Sequence, residues 1–280
     1  MVGPTQRVAA VRWAISQSGV SERAACRALG WSRSTHRRRS RVRRAPASAD
    51  ERRLRARARL YPRWGCPLLH QRLRLEGFGL NHKRTERLYR EMDLAMRVRH
   101  RRRLTRASHP LLAAAAPNVC WSLDFMTDVL TSTRGYRWLN VLDDFSREGL
   151  CVQAQLSFPA TRVVWVLDEL IDAHGRPAQI RSDNGPEFIA AVTQQWADAR
   201  GIEWTFIRPG KPAENAYIER FNGTFRTEVL DQQAFTDLEE SQRIADEWLV
   251  TYNQQRPHQA LGYLPPTLYR TKWQANQSLL

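Results

Sequence analysis

The sequence predicts an α/β chain in two parts: a basic, all-helical front and a back half built on a mixed sheet. One observation is charge: residues 1–117 hold 29 Lys and Arg against 7 Asp and Glu (net +22), while residues 118–280 hold 15 against 21 (net −6). Another is periodicity. The front repeats apolar residues at helical spacing between Gly and Pro breaks, and from about residue 118 short β-branched and aromatic runs take over. Three such runs come in succession, and later ones alternate with amphipathic helices. That order is expected of an RNase H-like mixed five-stranded sheet flanked by helices, here preceded by an all-α helix-turn-helix region.

In the front, VAAVRWAIS has helical spacing, Ser21 caps SERAACRALG with Glu22 and Gly30 at its ends, and Ser32 caps SRSTHRRRS. Helix, Gly-containing turn and second helix predict a DNA-binding helix-turn-helix over residues 1–45. Arg33, Ser34, Thr35, His36 and Arg37 lie on the helix expected to enter a major groove. The plainer alternative is an Arg-rich helix pair without groove contact; the clustering of basic residues on the second helix favours DNA. Residues 46–97 form a second helical, helix-turn-helix-like unit, punctuated by Pro62, Gly65, Gly77 and Gly79. Asn81 caps its last helix, where Lys83, Arg84, Arg87 and Arg90 make one basic face while Leu88 and Met92 point inward. A solvated basic face is the alternative there. Residues 98–117 are a basic linker whose arginines can track phosphates.

The core is expected over residues 118–231. WSLDFMTDVL, YRWLNVLDDFS and LCVQAQLSF are three strands; TRVVWVLDELIDAHG is an amphipathic helix and AQIRSD a fourth strand. NGPEFIAAVTQQWADARG is helical, IEWTFI is a fifth strand, and PGKPAENAYIERFNGTFRTEVL is a loop and helix. Residues 232–280 add a helix, DLEESQRIADEWLVTYNQ, and an extended arm, RPHQALGYLPPTLY.

Three acids stand out within this frame. Asp124 interrupts an apolar run, Asp183 ends one just before Asn-Gly, and Glu219 lies in a helix, with thirty-five residues between it and Asp183. The predicted topology makes these places adjacent. Each has a bland reading: Asp183 as a turn former, Glu219 as a solvated helix residue, Asp124 as a strand polar. Together, on a chain of net charge +16, they point to a divalent-metal site acting on nucleic-acid phosphates. Asp143 and Asp144, at a strand end, are rival ligands better read as turn caps; Asp128 and Glu187 are similar decoys. The cysteines Cys26, Cys66, Cys120 and Cys151 have neither CxxC nor zinc-ligand spacing, so neutral thiols are expected. With no apolar run near the roughly 20 residues of a membrane span and no signal-peptide pattern, no membrane association and a cytoplasmic location are expected.

The segments GVSERAACRALGWSRST, NHKRTERLYREM, PNVCWSLDFMTD, YRWLNVLDDFSRE, IRSDNGPEF, PGKPAENAYIERFNGTFRTEVL and YNQQRPHQALGYLPP carry a resemblance over nearly the whole chain. It is to the second-open-reading-frame catalytic subunit of insertion-sequence transposases of the IS-three family, whose core is similar to retroviral integrases. The chain departs from the family's commonest wording at WGCPLLHQRL, where a Tyr-Gly-x-Arg pattern is more usual. The resemblance implies that Asp124, Asp183 and Glu219 fill the three places of a DDE triad. It also implies cleavage of element ends and strand transfer, often first within the element to give a circle.

Such chemistry suits two Mg²⁺ ions, with Mn²⁺ able to substitute, because in-line displacement builds charge on both the attacking and the leaving oxygen. Carboxylates are the hard donors magnesium prefers. Asp124 is expected to bridge, with Asp183 on one ion and Glu219 on the other. Asn184 beside a tight Gly185 turn, Lys211 in a Gly-Pro loop, and Arg226 on the Glu219 face with Asn222 and Gly223 are expected DNA contacts; in the tail, Arg256 and His258 are further candidates or caps. The expected partner is double-stranded DNA, as element terminal repeats and target. Synapsis of two ends calls for a homo-oligomer on DNA, and fusion or partnership with an upstream-frame protein is a route the resemblance implies. The competing readings are a DNA-binding regulator or domesticated remnant, and an RNase H-fold nuclease that hydrolyses without joining.

Overall fold

The computed structural model describes residues 4–41, 48–96, 114–208, 210 and 212–278. The chain divides into two compact units, Met1–Ala56 and Arg57–Leu280. Most of the basic linker, and Lys211, lie outside the described residues.

The first unit holds α1 (Pro4–Ser18), α2 (Glu22–Ala28) and α3 (Arg33–Arg41). The Ser21 hydroxyl accepts from the Ala24 N–H at 3.2 Å and so caps α2. The helix ends where Gly30 takes φ +59° and the Trp31 N–H reaches back to the Cys26 carbonyl at 2.8 Å. Val11, Ala25 and Cys26 form the small core. His36, expected on the exposed reading face of α3, is buried at 4%. The helix RSTHRRRSR has no aliphatic side chain, so the imidazole is the group it can turn inward. The unit boundary falls within α4 (Ala49–Leu60).

In the second unit, Tyr61 and Trp64 stack at 3.9 Å ahead of α5 (Cys66–Leu75) and α6 (His82–Glu91). Leu69, Leu73, Leu88 and Tyr89 are buried, and the His70 ring and Thr85 hydroxyl hydrogen-bond at 2.9 Å between these two helices. Asn81 caps α6 through the Lys83 N–H.

The sheet has five strands in the order β3-β2-β1-β4-β5: β1 (Cys120–Val129), β2 (Gly135–Asp143), β3 (Gly149–Gln155), β4 (Gln179–Ser182) and β5 (Glu203–Phe206). The first three are antiparallel neighbours, and β4 and β5 join parallel to β1. Helices cover both faces. Trp121, Leu123, Leu139 and Val141 pack with α7 (Ala160–His174) and α9 (Ala191–Arg200). Met126, Trp138, Leu142 and Val152 pack with α10 (Ala216–Glu228) and α11 (Leu238–Gln254). Burial on both faces explains why the strands read as continuous apolar runs. A short helix, α8 (Pro186–Ile189), is split from α9 at Ala190, whose ψ is 142°.

The arm expected to run extended from Arg256 stays non-helical, apart from a short 3₁₀ turn, only to Pro265; α12 (Pro266–Gln277) follows. Pro266 sits in its first turn, where a fixed φ and missing N–H cost nothing. Among the described residues no helix is long and apolar enough to cross a membrane.

Candidate active site

Asp124 lies in the middle of β1, on the face turned toward α10. Alternation sends Trp121 and Leu123 to the other face, so an acid at position 124 points where β2 offers Asn140, its cross-strand partner. Both carboxylate oxygens are held. Oδ1 accepts from the Phe125 N–H at 2.9 Å and Oδ2 from Asn222 Nδ2 at 2.8 Å. The Asn222 Oδ1 in turn accepts from Asn140 Nδ2 at 2.7 Å. Burial pushes the Asp124 carboxyl up to about 6, helped by the negative charges of Asp183 and Glu219 and opposed by its two donors.

Asp183 follows β4 directly. Its Oδ1 accepts from the Gly185 N–H at 3.1 Å, and a Cβ on residue 185 would come within 3.1 Å of that same oxygen, so the turn favours glycine. Asn184 donates to the Ile207 carbonyl at 3.0 Å, tying the ends of β4 and β5 together. Glu219 is exposed in the first turn of α10. That helix is laid along β1 by three side chains in sequence. Asn215 donates to the Leu123 carbonyl at 3.2 Å, Asn222 to Asp124, and Arg226 to the Thr127 carbonyl at 2.9 Å. Asp183 and Glu219, far from Asp124 in sequence, thus act electrostatically on it.

The rival acids are committed elsewhere. Asp143 Oδ1 accepts from the Ser146 N–H and hydroxyl, and its Oδ2 from the Asn118 N–H. Asp144 accepts from the Ser122 hydroxyl at 2.6 Å and pairs with Arg181 at 2.8 Å. Glu187 pairs with Arg137, and Asp128 caps the N–H of Val129. Among the described residues no three His, Cys, Asp or Glu side chains are already grouped to hold a metal ion. The donor chemistry nevertheless fits a hard divalent cation: carboxylates only, mutually repelling, with no competing thiol or imidazole.

The expected DNA contacts are placed unevenly. Arg33 and Arg37 both reach Glu22 Oε1, at 3.3 and 2.8 Å, and the Ser34 and Ser32 hydroxyls share a hydrogen bond of 2.6 Å. Thr35 is half-buried on the same helix. Lys83, Arg84 and Arg87 lie on the exposed side of α6, with Arg87 3.8 Å from Glu91. Asn140 and Asn215 were not singled out from the sequence. The signal for Asn140 was a polar residue inside the apolar run YRWLNVL, the same signal that marked Asp124.

Integrase core domain families match residues 200–266 and 114–212. Fold and match together define a protein with the catalytic core of the integrases and transposases. The chain is 37% identical to the uncharacterized 39.2 kDa protein of insertion element IS476 from Xanthomonas euvesicatoria, covering 99% of this chain and 80% of that protein. It is 39% identical to the uncharacterized 31.7 kDa protein of insertion element IS407 from Burkholderia multivorans, over 91% of this chain and 92% of that protein. Among solved structures, the HTLV-2 integrase catalytic core domain in complex with magnesium aligns with TM-score 0.46 and 19% identity, over 56% of this chain and 98% of that one. The chain belongs to the insertion-sequence transposases with an integrase core, enzymes of the DDE transposase and integrase type.

Proposed function

We propose that Asp124, Asp183 and Glu219 are the catalytic carboxylates of this DNA transposase and hold its divalent metal. One placement carries the proposal: Asp124 sits buried on β1 beside β4, which Asp183 follows, and is held by Asn222 of α10, the helix that bears Glu219, so that burial and those two charges push its carboxyl up to about 6. A buried acid crowded by two others is the condition a bound cation relieves. Asp124 would serve both of two ions, Asp183 one and Glu219 the other. When bound, Mg²⁺, or Mn²⁺ in its place, supplies positive charge to the attacking and leaving oxygens of an in-line displacement.

The chain's own groups set the stage for that displacement. The Phe125 N–H and Asn222 orient Asp124 and favour its ionised form; the Gly185 N–H aims Asp183. Glu219 faces solvent, where a phosphodiester arrives. Water attacks phosphorus at the element end, forming one P–O bond as the strand's P–O bond breaks and leaves a 3′-OH. That 3′-OH then attacks a target phosphodiester in the same sense.

The helical units over residues 1–97 bind the double-stranded terminal repeats, through Arg33, Ser34, Thr35 and Arg37 and through Lys83, Arg84 and Arg87. Asn184, Arg226 and Lys211 meet DNA nearer the cut; the hydrogen bonds of Asn184 and Arg226 give them a fixed geometry for it. Two ends are held together by a homo-oligomer assembled on DNA. Purified wild type, Asp183→Asn and Glu219→Gln, given labelled element-end DNA with Mg²⁺ or Mn²⁺, test the reading. Wild type should nick and join while both variants bind without cutting. Cutting by the variants would remove the triad. Cutting without joining would make the protein a nuclease, and binding without cutting by wild type would make it a regulator or one part of a fused enzyme.

A further inference from the structure

Beside Glu219, α10 presents a face that the carboxylate site does not use. Glu219 and Gly223 line an open groove, which shares Ala216, Arg220, Thr224 and Arg256 with a deeper cavity of about 560 Å³. Groove and cavity thus adjoin along these four residues.

The lining has a definite chemistry. Arg147, Arg220 and Arg256 border the cavity, while the carboxylates Glu219 and Glu228 border only the adjoining groove. Arg256 is braced by Glu228 at 2.9 Å, and Arg147 lies 3.2 Å over the Tyr217 ring, so two of the three guanidinium groups are held in place. Arg220 is exposed next to Glu219. At the far end the His258 ring meets Tyr252 edge-on at 4.7 Å, and its Nε2 is buried with no hydrogen-bond partner among the described residues. Burial pushes that imidazole down to about 3, so the ring is neutral in the fold. Gly223 adds a second kind of observation. Mid-helix glycine weakens a helix, yet a Cβ there would meet nothing within 4 Å, so no packing among the described residues requires it. The space it leaves opens onto the groove.

A cavity of this size lies within the roughly 300–1,000 Å³ of small-ligand sites and cannot admit a duplex. We infer that the cavity is a subsite for one nucleotide lifted out of the duplex beside the cut, its phosphate on Arg220 and Arg256 and its base toward the His258 end. The inference deepens the reading of Glu219 as catalytic and rests on it for what the nucleotide lies next to.

The test compares full-length protein binding to a blunt duplex and to the same duplex with a short single-stranded overhang, in metal-free buffer where no strand is cut. Wild type should bind the overhang duplex about fivefold tighter or better, the scale of one stacked base. In Arg220→Ala, and in Gly223→Leu, which fills the groove from an open position, the ratio of the two affinities should fall to near one. Equal affinities in wild type, or a ratio that survives both variants, would overturn the subsite. Because the readout needs no chemistry, it separates from the triad test. Asp183→Asn that keeps the ratio but loses cleavage supports both readings; one that keeps the ratio and still cleaves overturns the catalytic reading alone.

Discussion

Asp124 owes its setting to two asparagines. Asn140 fixes Asn222, and Asn222 fixes the carboxylate, so a polar chain crosses from β2 through α10 to β1 inside an otherwise apolar layer. Replacing Asn222 with Ala leaves a buried amide and a buried carboxylate each short of a partner. The expected cost is about 1–3 kcal/mol in urea unfolding, with cleavage slowed about 10–100-fold, the effect expected if Asp124 holds metal as proposed. Wild-type values for both would remove Asn222 from the site. At the other end of the chain, Glu22 occupies Arg33 and Arg37. Glu22→Ala should free both guanidinium groups, tighten duplex binding and steepen its salt dependence in anisotropy titrations. Weaker binding would mean that Glu22 positions those arginines for DNA rather than competing with it. Asp124 was legible in the sequence because an acid inside an apolar strand is out of place. Its donors were not, since hydrogen bonds 82 and 98 residues apart in the chain leave no local pattern.

Among the elements, α10 and α11 carry one face of the sheet, and they close on β3 through Gly149. A Cβ there would stand 2.6 Å from Leu249 Cδ1 and 2.7 Å from Phe221 Cε2. Gly149→Ala should therefore destabilise the protein by about 1–3 kcal/mol in urea unfolding, the cost of overpacking a filled core; an unchanged midpoint would show that the helices yield freely. The positions of the five strands and of most helices along the chain followed from periodicity, because apolar runs and amphipathic stripes are local signals. The inward turn of His36 did not. In an Arg- and Ser-rich helix, which side chain is buried depends on what the neighbouring helices leave open.

At the scale of the whole molecule, the proposed function gives the basic front the holding of a polyanion and the acidic back the three carboxylates. Acid stability is also a global property. The His258 imidazole, pushed from an ordinary 6.5 to about 3 by burial and then by Arg256, is neutral in the fold where the unfolded chain takes up a proton. Its contribution is complete above 6.5 and is lost as pH falls toward 3. Glu148 and Asp144, raised by burial, act in the opposite sense. Comparing wild type with His258→Gln isolates the histidine: between neutral pH and about pH 4 the variant should lose less urea stability than wild type. An equal loss in both would mean that the ring is already solvated.

Charge segregation, element order and the identity of the three acids were all decided by the residues themselves, since each rests on composition, period or local turn chemistry. The effect of Asp183 and Glu219 on Asp124, the asparagine chain behind it, the commitment of Asp143 and Asp144 to a turn and to Arg181, and the cavity beside α10 were decided only by tertiary structure. Each depends on which strand pairs with which and which helix face is buried. Those are long-range outcomes of packing that no window of the sequence contains.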